Sequence, residues 1–164
     1  MLFRSNPTGM IYTAEELTEI GNWAVANDVL ILADDIYGRL VYNGNEFTPI
    51  STLSDAIRNQ TIIINGVSKT YAMTGWRIGF AVGHPDIIKA MSKIVSQTTS
   101  NASAVAQYAA IEALTGDQTT IETMRQAFEE RLNTIFPLIN EIPGFEAIKP
   151  QGAFYLFPKV SKAM

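Results

Sequence analysis

The sequence contains no cysteine, a single histidine and only 17% charged residues among 164. Without cysteine there is no disulfide framework, no thiolate metal site and no cysteine nucleophile. Twelve basic and sixteen acidic side chains leave a net charge of -4, with no long run of either sign. That balance gives no electrostatic footprint for nucleic acid or an anionic membrane surface, so small molecules or proteins are the expected partners. No apolar run approaches the roughly 18 residues of a spanning helix, and Met1-Leu2-Phe3-Arg4 lacks the basic-then-apolar build of a signal peptide. A cytoplasmic protein is the expectation. What is present is a 47% hydrophobic content, enough for one domain with a buried core, or for one domain and part of another.

Hydrophobic spacing predicts the order of elements. Leu2-Phe3-Arg4 reads as the end of a strand running into the turn Asn6-Pro7-Thr8-Gly9. Thr13 with Glu16 forms a capping box, and Leu17, Ile20, Trp23 and Ala24 continue a helix over about 14–27, with Asn27 as its stop. The runs 29–33, 61–65 and 78–82 show no alternation, as expected of strands buried on both faces of a mainly parallel sheet. Between them a hairpin is expected near 40–46, turning at Asn43-Gly44, and a short helical piece near 53–57. Pro85 opens a helix carrying Ile87, Ile88, Met91, Ile94 and Val95, and His84 before it reads as a helix-start residue rather than a catalyst. Another helix spans about 103–115 and stops at Gly116. Ile121, Met124, Phe128, Leu132 and Ile135 mark a long helix that Pro137 should bend or interrupt. Strand-like runs follow at 145–148 and 153–157.

In a sheet of this kind ligands bind beyond the carboxyl ends of the strands, and polar residues gather there. Asn6 follows the first strand, Asp34 and Tyr37 the second, and Ser68 and Lys69 the third. The segment from Lys69 to Arg77 is too short for a crossover helix, so the next strand should return antiparallel and bring Arg77 to the same edge. An amide, a carboxylate, a phenol, an amine and a guanidinium are thus expected in one cleft. This is the set that pyridoxal 5'-phosphate (PLP) chemistry needs: an amine to condense with the aldehyde, a carboxylate for the ring nitrogen and a guanidinium for the phosphate. Donors to the phenolate oxygen are left to Tyr37 and Asn6. Asp35 is expected to be solvent-facing or structural, and Lys89 and Lys93 lie on a helix face away from any strand end.

Asn6-Pro7-Thr8-Gly9, Asp34-Asp35-Ile36-Tyr37 and the segment from Ser68 through Lys69 and Arg77 to Gly79 resemble the signature segments of class I/II aminotransferases of fold type I. The likeness continues through Ser100-Asn101-Ala102-Ser103 and Gly152-Ala153-Phe154-Tyr155, and is most similar to bacterial aspartate aminotransferases. It implies an α/β PLP-dependent transferase fold, with PLP contacted by Asn6, Asp34, Tyr37, Lys69 and Arg77, Lys69 as the catalytic Schiff-base lysine, and Ser68 as a phosphate ligand. Three residues before Lys69, where many relatives have another phosphate-binding hydroxyl, stands Gly66. The implied reaction moves an amino group from an L-amino acid, aspartate first, to a 2-oxo acid such as 2-oxoglutarate. A PLP-dependent lyase, a non-catalytic PLP-binding module and an inactive truncated piece are the alternatives. The family's chains are more than twice as long and work as homodimers. The resemblance therefore implies an incomplete large domain over 1–120, a bent linking helix over 121–142 and the beginning of a small domain over 143–164.

Overall fold

The computed structural model describes residues 2, 3 and 5–162; Met1, Arg4, Ala163 and Met164 lie outside the described residues, and with them part of the first expected strand and of the last expected segment. Four strands form one sheet in the order β1 (Leu2–Phe3), β2 (Ile31–Asp34), β3 (Thr61–Gly66) and β4 (Gly79–Val82). β1, β2 and β3 run parallel, and β4 returns antiparallel with Gly66 opposite Gly79. The nine-residue stretch between Lys69 and Gly79 forces that return, because it cannot span the length of the sheet and come back parallel.

Helix α1 (Ala14–Ala26) carries the expected capping box, with Thr13 and Glu16 satisfying each other's backbone N–H groups, and ends at Asn27. It packs with α2 (Asp55–Asn59) and a 3-10 turn at Ile50–Thr52 against β2. Leu17, Ala24, Ile31, Ala33, Ile50 and Ile57 form this core. Gly21 is needed there, since a Cβ would stand 2.6 Å from Cδ1 of Ile57. The remaining helices are α3 (Pro85–Thr98), capped by His84, α4 (Ala104–Thr115), ending at Gly116, and α5 (Thr119–Asn140).

Three local expectations are corrected. Asn43 and Gly44 do turn with positive φ, but no hairpin forms at 40–46. Val41 instead bridges Gly152, far along the chain, because the Leu40 carbonyl and Tyr42 N–H are taken by Ala153 and Gln151. The runs 145–148 and 153–157 are likewise not strands; Glu146 forms only an isolated bridge with Lys159. Pro137 does not interrupt α5, which continues to Asn140. A proline so near the helix end removes one intrahelical bond and leaves the others in place. Burial on both sheet faces is also incomplete, since β2 alternates buried and half-buried residues and Phe80 and Val82 of β4 are exposed.

A second core unites the C-terminal part with the segment after β2. Tyr37, Leu40, Tyr42, Leu132 and Ala153 are buried together, with Met124, Phe128, Phe136 and Tyr155 packed against them. Arg125 of α5 adds polar links, donating to the Val41 carbonyl (3.1 Å) and pairing with Glu122 and Glu129. Glu129 in turn accepts the Asn43 N–H. The tightest point is a clamp in which Gln151 and Gly152 donate to the Gly9 carbonyl (2.9 Å each) while Ala153 donates to Leu40 (2.9 Å). A Cβ on Gly152 would lie 2.8 Å from the Leu40 oxygen, and one on Gly9 2.6 Å from Pro150. Gly152→Ala is expected to lower stability by about 1–3 kcal/mol, the usual cost of forced overpacking, measured by urea unfolding.

Candidate functional site

The carboxyl ends of β1, β2 and β3 deliver three of the expected residues to one place. Asn6 sits in the turn after β1, Tyr37 in the turn after β2, and Lys69 in the turn after β3. The Lys69 ammonium lies over two ring faces, 5.8 Å from the Tyr37 centroid and 5.2 Å from that of Phe154. Among the described residues it has no carboxylate partner, so the contacts that hold it are cation–π, each worth about 0.5–1 kcal/mol at a partly exposed position. The amine is thereby positioned without an ion pair to tie it up.

A hydrogen-bonded chain runs alongside. The Asn6 amide donates to the Tyr155 hydroxyl (3.2 Å), and the Tyr155 and Tyr37 hydroxyls share a short bond of 2.5 Å. Tyr37 meets Phe154 and Tyr155 edge-on, at 5.3 and 5.6 Å between centroids. Phe128 of α5 stacks on Phe154, and Arg131 caps Phe128 at 5.3 Å. Burial, ahead of the negative charge of Asp34, pushes the Tyr37 phenol well above its ordinary pKa. Tyr37 therefore keeps its proton and remains able to donate it in a hydrogen bond.

The other expected residues stand at the same edge in different surroundings. Asp34 ends β2, with its carboxylate accepting the Ile36 N–H at 3.4 Å. Ser68 is half-buried in the turn before Lys69. Arg77 is exposed, takes left-handed backbone angles (φ 55°, ψ 47°) and donates to the Thr74 carbonyl at 2.9 Å. It lines a groove with Trp76, Asn101, Ala102 and Ser103, separate from the aromatic cluster around Lys69. At position 66 a Cβ would come within 2.7 Å of the Ile78 carbonyl oxygen, so the close approach of β4 favours the glycine found there. Among the described residues no cluster of histidine and acidic side chains could hold a metal ion, and no helix is long and apolar enough to cross a membrane.

Phe154 and Tyr155 are the participants that the sequence reading did not assign to the site. Their place in the Gly152-Ala153-Phe154-Tyr155 segment was a usable signal. Read as part of a strand, however, they carried no link to Lys69.

The profile of the aminotransferase class I and II family matches residues 4–164. The chain belongs to that family. It is 72% identical to an asparagine–oxo-acid transaminase of Streptococcus mutans, over 98% of this chain and 41% of that protein. It is 56% identical to an aspartate aminotransferase of Bacillus sp. strain YM-2, over 97% of this chain and 41% of the relative. The crystal structure of the Rhizobium meliloti aspartate aminotransferase superposes with a TM-score of 0.94 at 36% identity, covering all of this chain and 41% of that one. The chain thus spans about two fifths of the length of the aminotransferases it matches.

Of the two expectations for Asp35, solvent-facing or structural, its half-buried position favours the second. It lines a cavity of about 40 Å³ with Met10, Ile11, Leu17, Phe47 and Ile50. Burial, then the charge of Asp34, raises its pKa from 3.8 to about 6. The folded state consequently holds this proton between about pH 4 and 6, where the unfolded chain has released it, and stability falls as pH rises through that window. Asp35→Asn should remove the loss. Relative to the unmodified chain, the variant should gain on the order of 2 kcal/mol between pH 4 and pH 7, read by denaturant unfolding at each pH.

Proposed function

We propose that this chain is the lysine-bearing part of a PLP-dependent transaminase that moves an amino group between a short dicarboxylic amino acid or its amide and a 2-oxo acid. The observation that carries the reading is the Lys69 amine over the Tyr37 and Phe154 rings, without a carboxylate partner, in a chain that matches the aminotransferase family over 4–164. The names of the relatives support aspartate and asparagine as amino donors; 2-oxoglutarate is the first acceptor to try. The reading carries with it a cytoplasmic homodimer for the whole protein, from the resemblance of its signature segments, and the same layout of a large domain, the long helix and the start of a small domain.

The donor set fits PLP group by group. Bound there, PLP supplies a ring that withdraws electrons from the carbon losing its proton. Lys69 would hold the cofactor through Nζ, and the same amine, once free, would be the group placed to carry a proton. Asp34 would be the acidic partner for the ring nitrogen, a negative charge there favouring its protonated form. Tyr37, held in its neutral form, and Asn6 donate hydrogen bonds to the ring oxygen. Arg77, with Ser68, binds the phosphate; the exposure of its guanidinium leaves it available for a bidentate contact. Gly66 contributes no hydroxyl there.

Incubation with PLP, borohydride reduction and peptide mapping test this directly. The label is expected on Lys69 and should vanish in Lys69→Ala. A label confined to other lysines, or none, would overturn the reading.

A further inference from the structure

The hydrogens along the polar chain can be counted. Asn6 Nδ2 is a donor only, so the Tyr155 oxygen accepts from it at 3.2 Å. Tyr155 has one hydrogen of its own, and its single close oxygen partner is the Tyr37 hydroxyl at 2.5 Å. If Tyr155 donates there, the hydrogen of Tyr37 is released from that contact and is free, in the plane of its ring, for another acceptor. Donation in series, amide to phenol to phenol, polarises the last O–H and makes it a stronger donor.

Tyr155 is unusually well fixed for a residue outside regular structure. Backbone bonds from Gln151, Gly152 and Ala153 to Gly9 and Leu40 secure the chain just before it. Its ring is packed 5.6 Å from Tyr37 and 5.2 Å from Phe154. Nothing in that packing requires the hydroxyl, which a phenylalanine would lack while filling the same space.

We propose that Tyr155 is a positioning residue for the cofactor: its hydroxyl orients the Tyr37 O–H toward the phenolate oxygen of bound PLP and so sets the pKa of the lysine–cofactor imine. This rests on the functional reading above. The sign follows from charge. With the imine nitrogen protonated, the phenolate shares its charge with that neighbouring proton; once the proton leaves, the oxygen depends on outside donors. Weaker donation by Tyr37 penalises the deprotonated form more, and the imine pKa rises.

The test is a pH titration of the visible absorption of the PLP-loaded chain, with Tyr155→Phe, Tyr37→Phe and the double variant beside it, and thermal unfolding of each. Tyr155→Phe should raise the imine pKa by about 0.5–1 unit, the scale of one neutral hydrogen bond. In the Tyr37→Phe background the same substitution should add no shift. A purely structural role would lower the unfolding temperature and leave the imine pKa where it was. An imine band with an unmoved pKa in Tyr155→Phe, or an equal shift in the Tyr37→Phe background, overturns this inference alone. Absence of any imine band in the unmodified chain overturns it together with the functional reading.

Discussion

The meeting of three distant segments at Gly9, Leu40–Tyr42 and Gln151–Gly152 is the constraint on which the site depends. Backbone groups from each supply the others' hydrogen bonds, and the approach is close enough that Gly9 and Gly152 cannot carry a Cβ. Unpaired backbone groups buried at such a junction would cost about 1–3 kcal/mol each, so the segments hold together or part together. Side-chain bonds reinforce it, with Gln151 accepting the Ile11 N–H and donating to Asn45. Through this junction α5 and the C-terminal segment, neither of them part of the sheet, bring Phe128, Phe154 and Tyr155 to the strand ends.

Two electrostatic environments then lie at the same sheet edge. Around Lys69 the surroundings are aromatic faces and neutral hydroxyls, which steady a cation without neutralising it. At the end of β2 two adjacent carboxyls share a half-buried position, and burial with mutual repulsion raises Asp35 to about 6. Both carboxyls line the same small cavity, and the fold bears the cost of burying Asp35 there.

The sheet was legible because its signals are local. Continuous apolar runs marked β2 and β3, the short link before Gly79 dictated the antiparallel return of β4, and the Thr13–Glu16 box fixed the start of α1. Lys69, Tyr37 and Asn6 were found by the same route, since strand order alone sends strand ends to one edge. The segment 40–46 was misread as a hairpin because its turn residues are genuine. Their partner is 110 residues or so away, and a competing long-range pairing leaves no trace in a short window.

By itself the sequence determined the order of most elements, the start of α1 and the identity of the groups carried to the sheet edge, because each follows from periodicity, caps and link lengths within a few residues. Only the tertiary structure decided which of those groups meet. It joined Asn6 and Tyr37 through Tyr155, set Phe154 under the Lys69 amine, and left Arg77 in a separate groove beside 101–103. The physical reason is that cation–π contacts, shared hydroxyl protons and glycine-tight backbone crossings depend on distances of a few ångströms between segments far apart in the chain, and no local pattern encodes them.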